Sequence, residues 1–408
     1  MRSRIKPTKR SERIQSLDIL RGFAVLGILI MNIQSFSMPG SAYSNPLAYG
    51  DLTGINKLVW IVSHILADQK FMNIFSILYG AGIILVTSRA ELKTGKSIGL
   101  HYRRTFWLLI LGLIHAHLIW YGDILVAYSI SALILFPLRK LRPSVQFIIG
   151  VFLFSIHSII YLFFGNTINY WPSESISETA QSWAPTIERI NYEIEMITGT
   201  LSQQVQHNSA VATYLETNYF ISLYGFWRVS GLMLIGMSLY KCGFLIANKS
   251  NAYYKKVTLI VLPTGFIIVI IGVIKNFNAD WNWTYSMFLG SQFNYWGSLL
   301  ISIGYISLIM LFSKYSYLNS FKKRLASIGQ MALTNYIVQS VISVLIFFGV
   351  GFSLFGQVDR WIQVLIVLAI WFLQLLWSKP WLNRYRYGPL EWLWRSLSYG
   401  KIQALINK

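Results

Sequence analysis

SLDILRGFAVLGILIMNIQSF, residues 16–36, is the stretch that decides the fold. After Asp18 and Arg21 it is apolar over most of its length, broken chiefly by Asn32. A helix rises about 1.5 Å per residue, so about 20 apolar residues cross the hydrocarbon core of a bilayer. The segment before it, Met1 to Ser16, is polar and basic, and no small-residue cleavage site follows. An uncleaved first membrane helix is therefore expected, rather than a signal peptide.

The same rule, carried outward, places spans near 18–36, 69–88, 105–121, 123–138 and 146–164, and then near 219–240, 257–274, 293–312, 330–349 and 359–378. The third and fourth are short and separated only around Gly122, as a tight hairpin or a broken pair. The chain of 408 residues is 54% hydrophobic and only 12% charged, about half the charge of a soluble domain. No room is left for a separate soluble domain of ordinary size. The fold class expected is an all-α integral membrane protein, a polytopic bundle of about ten helices with both termini cytoplasmic.

Charge tests that topology independently. The formal net charge of +20 admits a nucleic-acid partner. Yet 28 of the 35 Lys and Arg fall in residues 1–16, 89–104, 139–143, 241–256, 314–324 and 379–408, the segments left inside if the N-terminus is inside. This is the positive-inside pattern, so the partner expected is the lipid bilayer and no nucleic acid. One cysteine, Cys242, excludes an internal disulfide and a cysteine metal cage. No metal-ligand cluster, phosphate loop or internal repeat is present.

The chain then divides into a bundle of five spans (1–164), an extracytoplasmic acidic segment (165–218), a second five-span bundle (219–378) and a cytoplasmic tail (379–408). The acidic segment carries six glutamates against Arg189, and the spacing of Ile187, Ile190, Ile194 and Ile197 predicts a short amphipathic helix. It serves as a cap over the bundle or a lid over a cleft. The tail mixes Trp381, Trp392 and Trp394 with Arg384, Arg386 and Arg395, the chemistry of a helix lying at the membrane interface.

An ionisable group inside a bilayer costs roughly 2.5–3.5 kcal/mol at a helix centre, so those present carry the most information. Asp18, Arg21 and Asn32 share one side of the first span. They form either a local ion pair or the inner mouth of a polar cleft that holds an anion. His115 is expected about 15 Å into its helix, near the midplane; imidazole suits general-base work near neutral pH. His117 points elsewhere. Asp123 reaches His115 only if the chain turns near Gly122. Asp68 and Lys70 open the second span, where Lys70 either snorkels to the interface or contacts substrate. Asn335 and Gln339, four apart, share a face suited to interhelical hydrogen bonds. Arg103 and Arg104 are set for anionic lipid or for a cofactor phosphate.

The blocks at 16–36, KFMNIFSILYGAG (70–82), LGLIHAHLIWYGDIL (111–125), IGQMALTNYIVQS (328–340) and RYGPLEWLWRSL (386–397) resemble the YeiB-like family of bacterial inner-membrane proteins. The C-terminal half of that family is domain of unknown function 418. Gln330 departs from the Arg expected in its block. More remotely, the opening block with Asp18, Arg21, Gly22 and Asn32 is similar to the transmembrane acyltransferase superfamily. That superfamily includes lysosomal heparan glucosaminide acetyltransferases and bacterial enzymes that acylate envelope sugars. The resemblance implies transfer of an acyl group from cytosolic acyl-CoA, acetyl-CoA for example, to an acceptor across the bacterial plasma membrane. In that chemistry His115 is the candidate base, Arg21, Arg103 and Arg104 hold the CoA phosphates, and Asp123 and Asn32 orient the base or the carbonyl. A permease for a small, anionic solute and a non-catalytic membrane scaffold are the rival readings. The small-molecule substrate is not named by the sequence, and the oligomeric state stays open, a homo-oligomer included.

Overall fold

The apolar runs fold as helices in a computed structural model that describes residues 13–221 and 225–407. The N-terminal residues 1–12 and the stretch 222–224 of the expected sixth span lie outside the described residues. In chain order the helices are α1 (Gln15–Ser37), α2 (Ser41–Ser44), α3 (Gly54–Leu66), α4 (Lys70–Thr94), α5 (Ile98–Leu118) and α6 (Leu125–Leu135). Next come α7 (Pro143–Thr167), α8 (Ser173–Trp183), α9 (Ile187–Thr198), α10 (Leu201–Tyr214), α11 (Gly225–Lys241) and α12 (Asn251–Asn278). The last are α13 (Trp283–Tyr285), α14 (Ser291–Lys314), α15 (Asn319–Gln330), α16 (Ala332–Phe347), α17 (Arg360–Arg384) and α18 (Pro389–Tyr399).

A helix occupies each of the ten expected spans. Among the described residues six helical runs are long and apolar enough to cross a membrane: 15–37, 54–94, 143–170, 251–278, 283–314 and 360–384. The pair α15–α16, bent by 80°, makes a seventh if it is one span. The helices α5, α6 and α11 do not meet that test; α6 has 11 residues and α11 has 17. The outward faces of the long helices agree with a lipid surround. Leu259, Ile260, Ile267 and Ile274 of α12 are exposed, as are Phe152, Ile159 and Phe163 of α7, while Val269 and Phe154 of the same helices are buried. Apolar side chains exposed in rows along long helices are stable in a bilayer and costly in water. The chain is a multi-pass, all-α membrane protein.

Two local features position the site. Gly22 of α1 and Gly329 of α15 face each other, and a Cβ on either would strike the partner's backbone, so the two helices touch at Asp18 and Leu325. Small residues of this kind let helix backbones approach closely in membranes. The chain then bends sharply at Met331 into α16, whose first backbone N–H groups lack intrahelical partners. Glu391 of α18 supplies them: its carboxylate accepts from the amides of Leu333 (2.7 Å) and Thr334 (3.1 Å) and from the Thr334 hydroxyl (2.6 Å). The tail helix therefore packs on α5 and α16. Burial pushes the Glu391 carboxyl up.

The acidic segment folds as α8, α9 and α10. The amphipathic helix expected around Ile187–Ile197 is α9, begun by Thr186, whose side chain caps the Arg189 amide. Met196 and Ile197 are buried, and Glu193 accepts from the Gly40 amide at 2.9 Å, tying the segment to the end of α1.

Candidate functional site

The loops rich in Lys and Arg gather at one end of the bundle, and there a cavity of about 290 Å3 enters it, close to the lower end of ligand pockets at roughly 300–1,000 Å3. Six cations line it: Arg13, Arg21, Arg89, Lys93, Arg104 and Arg395, against the carboxylates of Asp18 and Glu391. Both carboxylates are engaged. Asp18 sits between Arg13 and Arg21, at 2.8 Å from each, and Glu391 caps α16. Among the described lining residues cations outnumber carboxylates. Burial, with Arg104 and Arg13 close by, pushes Arg395 down to about 10, and its Nε is buried without a hydrogen-bond partner. Arg104 lies over the Trp394 ring, 4.1 Å from its centroid, and its carbonyl accepts from the Trp394 indole. Deeper in, the wall turns apolar, with Phe75, Leu78, Leu108, Leu125 and Leu333, and ends near Ile28, Ile124 and Tyr336.

A second, smaller cavity of about 70 Å3 lies toward the other end of α1 and α4, lined by Asn32, Tyr43, Gln69, Met72 and Gly122 among others. It too is bounded by Ile28, Ile124 and Tyr336. Three side chains thus border both cavities. The Tyr336 hydroxyl at this junction is buried against the Ile124 backbone, and Oε1 of Gln69, a residue held in the left-handed conformation (φ 64°), is buried without a hydrogen-bond partner among the described residues.

Behind Tyr336 lies a hydrogen-bonded chain. His115 Nδ1 is 2.8 Å from Asp123 Oδ1, and His115 Nε2 is 2.9 Å from Ser340 Oγ. The His115 and Tyr336 rings are 5.2 Å apart. Asp123 is fixed by its other oxygen, which accepts from the Val126 amide at 2.8 Å in the first turn of α6. An ionised carboxylate only accepts, so Asp123 holds the proton on Nδ1 and leaves Nε2 to accept from the Ser340 hydroxyl. The dyad that needed a turn near Gly122 does form, because α5 stops at Leu118 and the chain folds back over residues 119–124 before α6. One expectation is corrected. Since α5 starts at Ile98, seven residues earlier than the expected span, His115 stands in its last turn and not at its middle.

The other singled-out residues divide. Asp18, Arg21 and Arg104 line the large cavity and Asn32 the small one. Arg103 lines neither and donates to the Ser398 carbonyl of the tail at 3.1 Å. Lys70 does not snorkel. It is fully buried and donates to the His64 carbonyl (2.7 Å) and Asn294 Oδ1 (2.6 Å), with Asp68 on the same Asn294. Asn335 bonds Ser378 and Gln339 bonds Gln374 and the Val25 carbonyl, joining α16 to α17 and α1. His117 turns to Ser209 of α10 and Glu216. Sequence reasoning missed Tyr336, Ser340, Glu391 and the inward role of Arg395. Each lies within a block that carried the family resemblance, but none has a chemical signature of its own in sequence.

The architecture defines a class: a polytopic helical membrane protein with two cavities that meet at Tyr336, beside a buried His115–Asp123–Ser340 set that lines neither. Comparison narrows it. The profile of the protein of unknown function family DUF418 matches residues 239–401. The chain is 33% identical to the uncharacterized protein YeiB of Escherichia coli (strain K12), over 97% of this chain and 99% of that protein. It is 26% identical to the uncharacterized protein YxaH of Bacillus subtilis (strain 168), over 100% and 99%. The chain belongs to the YeiB-like, DUF418-containing family. No solved structure matches it. The matched region holds Tyr336, Ser340, Glu391 and Arg395, while Arg21, His115 and Asp123 come from the N-terminal part of the chain.

Proposed function

We propose that the protein is a transmembrane acyltransferase of the bacterial plasma membrane, moving an acyl group from cytosolic acyl-CoA to an extracytoplasmic acceptor. The observation that carries this reading is the meeting of the two cavities at Tyr336, directly against the His115–Asp123 pair. By the positive-inside rule the basic end faces the cytoplasm. Arginines that exceed their carboxylate partners suit the phosphates of CoA, which they bind as charge-assisted and bidentate pairs. The apolar bore suits the pantetheine arm and acyl chain, leading the thioester toward the junction. The small cavity, with Asn32 and Gln69, offers polar groups to an acceptor hydroxyl or amine. A histidine oriented by a buried carboxylate is the arrangement of a general base.

The thin barrier of Ile28, Ile124 and Tyr336 also favours a second reading, a permease caught open to the cytoplasm. Inside-out vesicles loaded with envelope glycans separate the two. With acetyl-CoA labelled in both its acetyl and adenine groups outside, acyl transfer leaves acetyl label covalently bound in the lumen and adenine label outside. Accumulation of an unmodified solute, with no covalent label, overturns acyl transfer.

A further inference from the structure

Ser340 sits in an apolar helix, where a serine hydroxyl usually donates to the carbonyl four residues back. Other serines here do so at short range: Ser76 to Met72 (2.9 Å), Ser129 to Leu125 (2.8 Å) and Ser302 to Ser298 (2.6 Å). Ser340 is different. Its Oγ lies 3.4 Å from the Tyr336 carbonyl and 2.9 Å from His115 Nε2. The hydroxyl is drawn to the imidazole, and the imidazole is held by Asp123. Serine, histidine and aspartate are therefore joined in the order and at the distances of a nucleophile, its base and the orienting acid. The three come from α16, α5 and the turn before α6, and all are buried.

We propose, resting on the acyl-transfer reading above, that Ser340 is a nucleophile that carries the acyl group as an oxyester between the two cavities. Ser340 follows Tyr336 by one helical turn and shares its face. The Tyr336 ring borders both cavities, so turning it aside opens a path from them to Ser340. In the first half-reaction Ser340 Oγ attacks the thioester carbonyl carbon and its proton passes to His115 Nε2. The C–S bond breaks, and the departing CoA sulfur takes that proton. In the second, an acceptor hydroxyl or amine gives its proton to His115 as its heteroatom attacks the ester carbonyl. The Ser340 C–O bond breaks, and Oγ recovers the proton. Asp123 stabilises the imidazolium formed in each half.

The test is single-turnover acetylation of the purified protein in nanodiscs, using acetyl-CoA labelled in the acetyl group and no acceptor. A burst of free CoA stoichiometric with protein, with label on the peptide containing Ser340, is the expected result. Ser340→Ala should abolish both while binding acetyl-CoA as before, which also shows that it folds. His115→Ala should slow the burst about a hundredfold or more without loss of binding, the scale of a missing general base. Binding of acetyl-CoA with no burst and no label overturns the proposal and leaves direct transfer standing. Label that persists in Ser340→Ala overturns it as well. Failure of folded wild-type protein to bind acetyl-CoA removes the acyl-transfer reading itself, and the role of Ser340 with it.

Discussion

Cations at the two ends of this bundle are used in opposite ways. At the basic end Arg21, Arg104 and Arg395 line an open cavity. At the other end Lys70, Arg228 and Arg360 are buried and bound to protein. Lys70 holds a carbonyl and Asn294, and Arg228 holds Asn73 at 2.9 Å. Arg360 clamps the carbonyls of Pro46, Tyr49 and Asp51 at 2.6 to 3.1 Å. A charge in this bundle is thus either bound wholly to the protein's own groups or turned toward an open cavity. Residue type alone made Lys70 and Arg21 look alike.

The comparison breaks most visibly at Lys70. Lys70→Met leaves the His64 carbonyl and Asn294 Oδ1 without their donor in a buried network, which costs about 1–3 kcal/mol for each group left unsatisfied. A large drop in thermal stability in detergent is expected, and an unchanged melting curve would place Lys70 with the ligand-facing cations. A smaller effect sharpens the same contrast. Asp51 accepts from the Asn56 side chain and from the amide and hydroxyl of Thr53, closing the start of α3. Those bonds, Asn56 first, hold its carboxyl below the usual range. Its contribution is therefore present above the unfolded value of about 3.9 and is lost as pH falls through the lower folded value. Hydrogen exchange at the first turn of α3 should quicken on acidification through that window, with little change at the first turn of α11. Equal response at both would contradict the assignment.

Much of the fold was legible in sequence because bilayer thickness fixes the length of an apolar helix. A helix stands at every expected span, and α9 falls where the isoleucine spacing put it. The site was legible only in part. Arg21, Arg104 and Asn32 announce themselves by being polar in apolar surroundings, and they do line cavities. His115 and Asp123 stood out too, but their meeting depends on a reversal over six residues whose path no periodicity encodes. Ser340 and Tyr336 were invisible for a different reason. Serine and tyrosine are ordinary in membrane helices, and Ser340 gains meaning only from a histidine 225 positions away. Lys70 was misread because snorkelling assumes a free path to the interface, which α14 closes through Asn294.

The central claim, that the basic cavity binds acyl-CoA, is tested most directly by calorimetry of acetyl-CoA binding to the protein in nanodiscs, with ATP as the control polyphosphate. Acetyl-CoA should bind in preference to ATP. Arg21→Ala and Arg104→Ala should each weaken it about tenfold or more, the size of a lost charge-assisted hydrogen bond. No binding of any acyl-CoA by folded protein, or equal binding by wild type and both variants, would contradict the account.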